Sequence, residues 1–226
     1  MTFLHVPEGA TLSAGADNGD GTWTLAPDQL DGLTVTPPEN FSGEFDLSVS
    51  TSSTEANGQT AEVSETFTVS VEGVADAPAL DVADASGTED TPIALDIASA
   101  LTDTDGSETL SVTIANVPNG AEFSDGIENG DGTWSFTPEQ LDGLTVTPPE
   151  NFSGEMDFTV AATATETDGH ETTTQKTLAV SVEGVTDGAT LDVQNVSGSE
   201  DTPIALDISS ALNDADGSET LSVTIS

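Results

Sequence analysis

The chain has 226 residues, of which 42 are acidic and only one, Lys176, is basic, so its formal net charge at pH 7 is −41. This charge repels nucleic acid and anionic membrane surfaces, which excludes both as direct partners, and no apolar run is long enough to insert into a membrane. Hydrophobic residues make up 35% of the sequence and alternate in short runs, which predicts a folded chain, and the absence of cysteine excludes disulfide bonds.

Short runs of alternating apolar and polar residues fill the segment 77–187. In chain order these runs are Ile93–Ile97, Leu110–Ile114, Trp134–Phe136, Met156–Ala162 and Leu178–Val182. A period of two is typical of half-buried strands, and turn signals such as PNG, NGDG and TPPEN separate the runs. Only ASAL at 98–101 departs toward a helical period. About seven or eight strands in about 110 residues predict an all-β fold, an antiparallel β-sandwich.

The sequence NGDG, at 18–21 and 129–132, is open to two interpretations. Asn and Asp followed by Gly supply the positive φ angles that tight hairpins need. The alternative is a calcium loop built around Asp20 or Asp131. The tryptophans that follow, Trp23 and Trp134, are in phase with apolar neighbours, so we expect them to pack in a core.

The chain repeats itself with a constant shift of 111 residues. NGDGTW at 18–23 recurs at 129–134, DGLTVTPPENFSGE at 31–44 recurs at 142–155, and SGTEDTPIALDIASAL at 86–101 recurs as SGSEDTPIALDISSAL at 197–212. Such self-similarity is the signature of a tandem array.

A repeat boundary is predicted at VEGVADAP, 71–78, because this segment follows a strand and its proline stops pairing. Residues 1–76 are then the C-terminal part of one repeat, 77–187 a complete repeat and 188–226 the N-terminal part of the next. An alternative frame starts repeats at Met1 and Val112, but Val112 falls inside a predicted strand.

Three acidic motifs belong to each repeat. They are the linker with Glu72, Asp76 and Asp81, the TED motif with Glu89 and Asp90, and the DTDGSE motif with Asp103, Asp105 and Glu108. Two carboxylates two residues apart and followed by Gly resemble the opening of a calcium loop, although an exposed turn is the alternative.

Calcium is the metal that the available ligands favour. Carboxylate oxygens are plentiful, thiolates are absent, and the two histidines, His5 and His170, are solitary and expected at the surface. No Ser-His-Asp order, nucleotide loop or repeated catalytic pair is present, so we do not expect an enzyme.

The series TEDTPIALDI, DTDGSETLSVTI, NGDGTWSFTP, TPPENFSGEMDFTV and VEGVADAP resembles the cadherin-like or immunoglobulin-like tandem repeats that extend giant bacterial RTX-type adhesins. The resemblance covers essentially the whole chain. It implies sandwiches strung end to end, Ca²⁺ near the junctions of neighbouring repeats, and a secreted protein of the bacterial cell surface that leaves by type I secretion.

The resemblance also implies a set of calcium ligands, to which the glutamates of DTDGSE and its copy are added. The set is Asp76, Glu89, Asp90, Asp103, Asp105, Glu108, Asp187, Glu200, Asp201, Asp214, Asp216 and Glu219. The second linker departs from the pattern, because VTDG replaces VADAP and its proline is lost.

The function predicted from these observations is that of a structural extender, or stalk, stiffened by calcium. The chief alternative is a β-sandwich that itself binds carbohydrate or protein; a second alternative treats the acids only as a device for solubility in a salty medium. A further hypothesis is head-to-tail complementation, in which residues 188–226 of one chain complete the sandwich of residues 1–76 of another.

Overall fold

The computed structural model describes residues 1–103, 105–214 and 217–226. Within these residues the regular elements are strands, apart from two short 3₁₀ helices at Pro27–Gln29 and Pro138–Leu141. The predicted all-β fold is confirmed. No helix in the described ranges is long and apolar enough to cross a bilayer.

Twenty strands follow one another in the described part of the chain. The first seven are β1 (Thr2–Leu4), β2 (Thr11–Leu12), β3 (Ala16–Asp17), β4 (Trp23–Thr24), β5 (Val35–Thr36), β6 (Gly43–Thr54) and β7 (Thr60–Val71). The next eleven are β8 (Ala79–Ala83), β9 (Ala85–Thr88), β10 (Ile93–Ala94), β11 (Asp96–Ala100), β12 (Glu108–Ala115), β13 (Glu122–Phe123), β14 (Ile127–Glu128), β15 (Trp134–Phe136), β16 (Thr145–Thr147), β17 (Gly154–Glu166) and β18 (Glu171–Glu183). The last two are β19 (Ala189–Val193) and β20 (Ile208–Leu212).

The chain divides into two compact units. The first contains Met1–Ala77, Leu101–Thr109 and Ala164–Thr172, and the second contains Pro78–Ala100, Leu110–Thr163 and Thr173–Ser226. Each unit therefore combines segments that are distant in sequence. The predicted repeat boundaries at 76/77 and 187/188 are placed where the repeated sequence begins again. The division into compact units does not test them, so they stay predictions.

The core of the second unit is formed by strands in which every second residue is buried, as the sequence predicts. Along β17, Met156, Phe158, Val160 and Ala162 are buried at every second position. Phe158 is fully buried, and removing such a side chain from water contributes about 1.5–3 kcal/mol. The sheet that carries this core has the order β14-β15-β12-β17-β18-β9, and β10-β16-β13 form a second, smaller sheet.

Two strands of the second unit, β9 and β11, have features that the alternating sequence pattern does not predict. Strand β9 lies parallel to β18, with Val180 opposite Ala85 and Glu183 opposite Thr88. The ASAL stretch is strand up to Ala100, because β11 pairs along its length with β8. The hydrogen bonds of this ladder override the local helical tendency of the sequence.

The first unit has its own, smaller core. Its main sheet has the order β3-β4-β1-β6-β7, and its core cluster consists of Phe3, Val6, Ala10, Leu12, Leu25 and Leu47. Strands β6 and β7 form a long hairpin in register from Gly43–Val71 to Thr54–Thr60. Strand β7 is the last strand in the order of this sheet among the described residues.

The NGDG segments are hairpin turns. At the second copy, between β14 and β15, the backbone N–H of Asn129 donates to the carbonyl of Thr133 (3.0 Å), and Gly130 and Gly132 both have a φ of +80°. The carboxylate of Asp131 accepts hydrogen bonds from the hydroxyl and the backbone N–H of Thr133, which lower its pKa. Asp131 is thus engaged in holding the turn, as Asp20 is in the first copy.

Both tryptophans pack against a core. Trp134 makes an edge-to-face contact with Phe123, with ring centroids 5.3 Å apart, and Trp23 packs against the core of the first unit. Neither ring is fully buried, but each covers apolar side chains as its phase in the sequence predicts.

Candidate metal centre

Three buried carboxylates meet in the first unit. Asp103, Glu108 and Glu166 each offer an oxygen atom, and these atoms all lie within 4.8 Å of one another. The exposed fractions of the three residues are 5%, 7% and 4%. Carboxylates are rarely so buried unless they are paired with a cation, so this cluster is the first candidate for a functional site.

Two turns place the three side chains. Asp103 begins a turn in which one of its carboxylate oxygens accepts the backbone N–H of Asp105 (2.8 Å), and Gly106, with φ +87°, turns the chain into β12. Glu108 is the first residue of β12, and Glu166 is the last residue of the neighbouring strand β17. The hydroxyl of Ser107 donates to Glu166 Oε1 (3.2 Å), so the ends of the two strands are joined beside the cluster.

The predicted linker joins the same site. The backbone N–H of Asp76 donates to Glu108 Oε1 (2.7 Å), and the hydroxyl of Thr172 donates to the carbonyl of Ala75 (2.8 Å). Gly73 fits against Glu166 so closely that a Cβ at this position would lie 2.7 Å from Glu166 Oε2. Any residue with a Cβ at position 73 would displace the Glu166 carboxylate from this position.

The imidazole of His170 also contacts the linker, since its Nδ1 lies 2.8 Å from the carbonyl oxygen of Gly73. This contact raises the pKa of His170, and the nearby charge of Asp168 raises it further. His170 is exposed, as expected, and its ring also holds the linker at Gly73.

The cluster carries unbalanced negative charge. Glu108 and Glu166 each have one buried oxygen, Oε2, for which the described structure contains no hydrogen-bond partner. Burial raises the pKa of Glu108; the hydrogen bond from Asp76 opposes the shift, and the charges of Asp103, Glu166 and Asp76 add to it. Two like charges at about 4.8 Å repel by roughly 3–4 kcal/mol at an effective dielectric constant of about 20.

The donor set fits a hard divalent cation. All of the side chains that converge offer oxygen, and two of these oxygens, on Glu108 and Glu166, have no hydrogen-bond partner among the described residues. The single lysine, Lys176, pairs with Asp81 instead. Calcium accepts six to eight oxygens in flexible geometry, whereas magnesium demands near-octahedral geometry and retains water. The residues that would hold calcium are Asp103, Glu108 and Glu166.

An open cavity of about 240 Å³ adjoins the cluster. Asp103 and Glu166 line one side of it, and the segments 37–42 and 71–76 line the rest. The lining residues all belong to the first unit.

A second arrangement in the second unit repeats part of this geometry 111 residues later. The backbone N–H of Asp187 donates to Glu219 Oε1 (2.7 Å), as Asp76 does to Glu108. Asp214, the counterpart of Asp103, is buried and accepts a hydrogen bond from Ser218. Glu219 Oε2 is buried with no hydrogen-bond partner among the described residues, like Glu108 Oε2.

The TED motif contacts the linker that follows its own repeat. Glu89 is 3% exposed, its Oε1 accepts the backbone N–H of Val185, and its Oε2 has no partner among the described residues. Asp90, with φ +57°, accepts the backbone N–H of Asn151 (2.9 Å). The motif thus fixes the chain around Val185 at the end of the repeat.

Apart from Glu89, Asp90, Asp187, Asp214 and Glu219, which are described above, the predicted ligands fall into three groups. Asp103 and Glu108 converge on one point, and Asp76 reaches it through its backbone N–H. Asp105 is exposed, and hydrogen bonds from Ser107 lower its pKa, so it supports the turn beside the cluster. Glu200 and Asp201 are exposed, and Asp216 lies outside the described residues.

Glu166 was absent from the predicted set. Acidic residues are too common in this chain for one glutamate near a TDG turn to stand out. A signal does exist, because Thr-Glu precedes the turn in both copies, as Thr54-Glu55 in TEANG and as Thr165-Glu166 in TETDG. Recurrence of an acid in an otherwise divergent turn is the feature that would have identified it.

A comparison with sequence profiles of known families supports the fold. Residues 75–181 match the sequence profile of the family described as "Bacterial Ig domain", a match that spans slightly less than half of the chain. Among solved structures, the cadherin ectodomain repeats of "PcdhgB3 EC1-4 in 50 mM HEPES" are similar at 13% identity and a TM-score of 0.33, over 67% of this chain and 35% of that one. This chain thus spans about a third of that structure, and the similarity is too low to support an argument about fold or function. No curated protein matches the chain.

Proposed function

From the immunoglobulin-like sandwich of residues 75–181, we propose that the chain is a stalk segment of a bacterial surface adhesin in which calcium stiffens the linkers between repeats. Modules of this kind are extracellular repeat domains, and the 111-residue repetition in this chain agrees with such an array. The proposal has three parts: the parent protein is an adhesin, it leaves the cell by type I secretion, and calcium binds at the linkers.

The observation that carries the proposal is the buried cluster of Asp103, Glu108 and Glu166. Bound calcium would supply the positive charge that balances these three carboxylates. Glu108 holds the linker by accepting the N–H of Asp76 with one oxygen, and its other oxygen remains available. Glu166 packs against Gly73, so ordering of the glutamate also orders the linker backbone.

The strand lengths suit an extender. Strand β17 has 13 residues, which span about 40 Å at about 3.3 Å per residue. Repeats of such strands, linked in series, carry a terminal binding domain far from the cell surface. A linker of only a few residues transmits this length only if it is rigid, and the cluster provides that rigidity.

A binding module is the weaker interpretation of the sandwich. Sites for carbohydrate expose platforms of tryptophan or tyrosine rings, but the chain has no tyrosine and both tryptophans pack against cores. A glycan array on the intact chain should therefore give no hits.

Calcium titration tests the metal site directly. We expect heat of binding in calorimetry and a higher melting temperature in CaCl₂ than in EDTA. Extracellular modules bind calcium with a Kd of about 10⁻⁴–10⁻³ M, and a concentration about 100-fold above Kd stabilises a folded site by about 2.7 kcal/mol. Equal melting curves in CaCl₂ and EDTA would refute the calcium part of the proposal.

Small-angle scattering tests the stiffening separately. Removal of calcium from the intact chain should broaden the distribution of interatomic distances, because the linkers become mobile. If calcium binds in calorimetry and this distribution does not change, the ion stabilises the fold but does not stiffen a stalk.

A further inference from the structure

The parallel pair of β9 and β18 joins the two ends of the predicted repeat 77–187. Strand β9 begins at Ala85, shortly after the chain enters the repeat, and β18 ends at Glu183, shortly before the chain leaves it. The pair is in register from Ala85–Val180 to Thr88–Glu183. Because the strands are parallel, the N-terminal end of β9 and the C-terminal end of β18 lie at opposite ends of the pair.

This geometry determines how a pulling force acts on the pair. The chain continues on both sides of the segment 77–187, so tension along the chain pulls β9 toward its N-terminus and β18 toward its C-terminus. The two strands are then pulled in opposite directions along their common axis, and the four residue pairs of the ladder carry the load together. If the same strands were pulled apart from one end, the hydrogen bonds would break one after another, and each would carry the load alone.

Side-chain hydrogen bonds extend the pair beyond both of its ends. Before β9, the carboxylate of Asp84 accepts the backbone N–H of Ala179 (3.1 Å), with the same 95-residue separation as the ladder itself. After β9, the backbone N–H of Glu89 donates to the carbonyl of Glu183 (3.0 Å), and the carboxylate of Glu89 accepts the N–H of Val185. Hydrogen bonds to charged acceptors are stronger than neutral ones, so the two carboxylates reinforce the ends of the pair, where separation begins.

One face of the pair is packed against the core. Val180 and Val182 of β18 are buried, and Gly87 of β9 fits so closely over Ile93 that a Cβ would lie 2.6 Å from Ile93 Cγ1. The glycine therefore lets β9 lie directly on the core. At the C-terminal end of the pair, Glu89 is 3% exposed. Water thus reaches the hydrogen bonds between the two strands mainly from the outer face, which slows its exchange for a stretched bond.

We propose that the β9–β18 pair is the part of the repeat that resists tension along the chain. The inference rests on the proposed stalk, because a stalk transmits force from one end to the other, but it does not rest on calcium. Asp84 and Glu89 are positioning residues that keep the two ends of the pair closed under load. Glu89 therefore has a mechanical role that requires no metal.

Single-molecule force spectroscopy on the full chain tests the direction of loading, and the absence of native cysteine allows handles to be attached at chosen sites. Handles on A83C and T186C pull β9 and β18 in opposite directions along the pair. Handles on A83C and T177C pull at one end, so the pair opens bond by bond. In EDTA, the first geometry should require the higher force to unfold the repeat. Equal forces in the two geometries overturn the proposal.

Substitutions in the first geometry test the two carboxylates. At constant force, Asp84→Ala and Glu89→Ala should each unfold about tenfold or more faster, because each loses a hydrogen bond to a charged acceptor that spans the pair. Asp84 is exposed and is not a predicted metal ligand, so it keeps the test valid even if Glu89→Ala fails to fold. The matched control, Glu122→Ala, removes an exposed acid from β13 in the smaller sheet and should unfold at the wild-type rate. A wild-type rate for Asp84→Ala overturns the role of the carboxylates.

A core variant separates mechanical from thermodynamic stability. Val112 is fully buried on β12, two strands away from β18 in the sheet. Val112→Ala should therefore lower the urea midpoint at least as much as Asp84→Ala does, but accelerate unfolding under force less. If the rate under force follows urea stability in every variant, the β9–β18 pair has no special mechanical role. Because all pulling is done in EDTA, a failed calcium titration does not change this result, and equal pulling forces do not refute the calcium site.

Discussion

Glu55 and Glu166 occupy the same place in two copies of the repeat, yet their surroundings differ. Glu166 is 4% exposed and lies beside Asp103 and Glu108, whereas Glu55 is exposed at the start of its turn. The residue type is therefore not sufficient for the site. What distinguishes Glu166 is that a linker and a DTDGSE turn lie against it.

This pair provides a controlled test of the metal site. Glu166→Gln should weaken calcium binding about tenfold or more, because affinity for calcium follows the number of charged ligands. In EDTA the same substitution should raise the free energy of unfolding, since it removes one of three mutually repelling charges. Glu55→Gln, its counterpart in the other copy, should change neither quantity in calorimetry and urea denaturation. Identical behaviour of the two variants would mean that the cluster holds no cation.

The raised pKa of Glu108 predicts how stability depends on pH without calcium. The folded state binds a proton more tightly than the unfolded state, whose pKa is about 4.5, so protonation favours the fold. In EDTA, acidification from pH 7 through the raised pKa toward about 4.5 should therefore stabilise the protein through this group. The effect is measured as the difference between the pH profiles of the wild type and Glu108→Gln. A difference that does not change over this range would show that Glu108 titrates normally.

At the residue scale, sequence reasoning identified the parts of the cluster that lie in a motif. Asp103 and Glu108 could be predicted because DTDGSE and NDADGSE recur with their acids retained. Asp105 could not be separated from Asp103 in this way, since only the turn geometry shows that one side chain is buried and the other exposed. The contribution of Gly73 depends on a contact with Glu166, which is 93 positions away in the chain and invisible in a local pattern.

At the element scale, the hairpins depend on glycines with different surroundings. Gly126 has φ +96°, and a Cβ there would lie 2.4 Å from the ring of Phe136. Gly130 has φ +80° with open space around it. The first glycine is needed for both conformation and space, and the second for conformation alone.

Alanine substitution separates these two requirements. Both Gly126→Ala and Gly130→Ala should lose about 1–2 kcal/mol of unfolding free energy from the left-handed backbone. Gly126→Ala should lose a further ~1–3 kcal/mol, because the ring of Phe136 must move within a packed core. Urea denaturation measures both values. Equal losses would mean that the core around Phe136 adjusts without strain.

The strands divide into those that the sequence predicts and those that it does not. Runs of period two predicted β12, β15, β17 and β18, since alternate burial of Val, Ile, Phe and Leu is what forms them. Strand β9, Ala85–Thr88, has the sequence ASGT and no apolar alternation. Its place is set by backbone pairing with β18 and by the carboxylates that follow it, which a hydrophobic pattern cannot show.

At the scale of the whole molecule, the charge of −41 has two separable consequences. General repulsion among 42 acids destabilises any compact form, and monovalent salt screens it. The cluster of Asp103, Glu108 and Glu166 is a local and buried source of repulsion, which salt screens much less. Adaptation to a salty medium would require only the many dispersed acids, and not the buried cluster.

Melting in two salts distinguishes these effects. In EDTA, NaCl from about 0.05 to 0.5 M should raise the melting temperature gradually and to a similar extent in wild type and Glu166→Gln, because both carry nearly the same total charge. Addition of a few millimolar CaCl₂ to 0.5 M NaCl should raise it further in the wild type and much less in Glu166→Gln. MgCl₂ at the same concentration serves as the control for divalent screening and should have a smaller effect, because magnesium retains its water. If CaCl₂ and MgCl₂ act alike, or if NaCl alone gives the full rise, the acids serve solubility and the cluster does not select calcium.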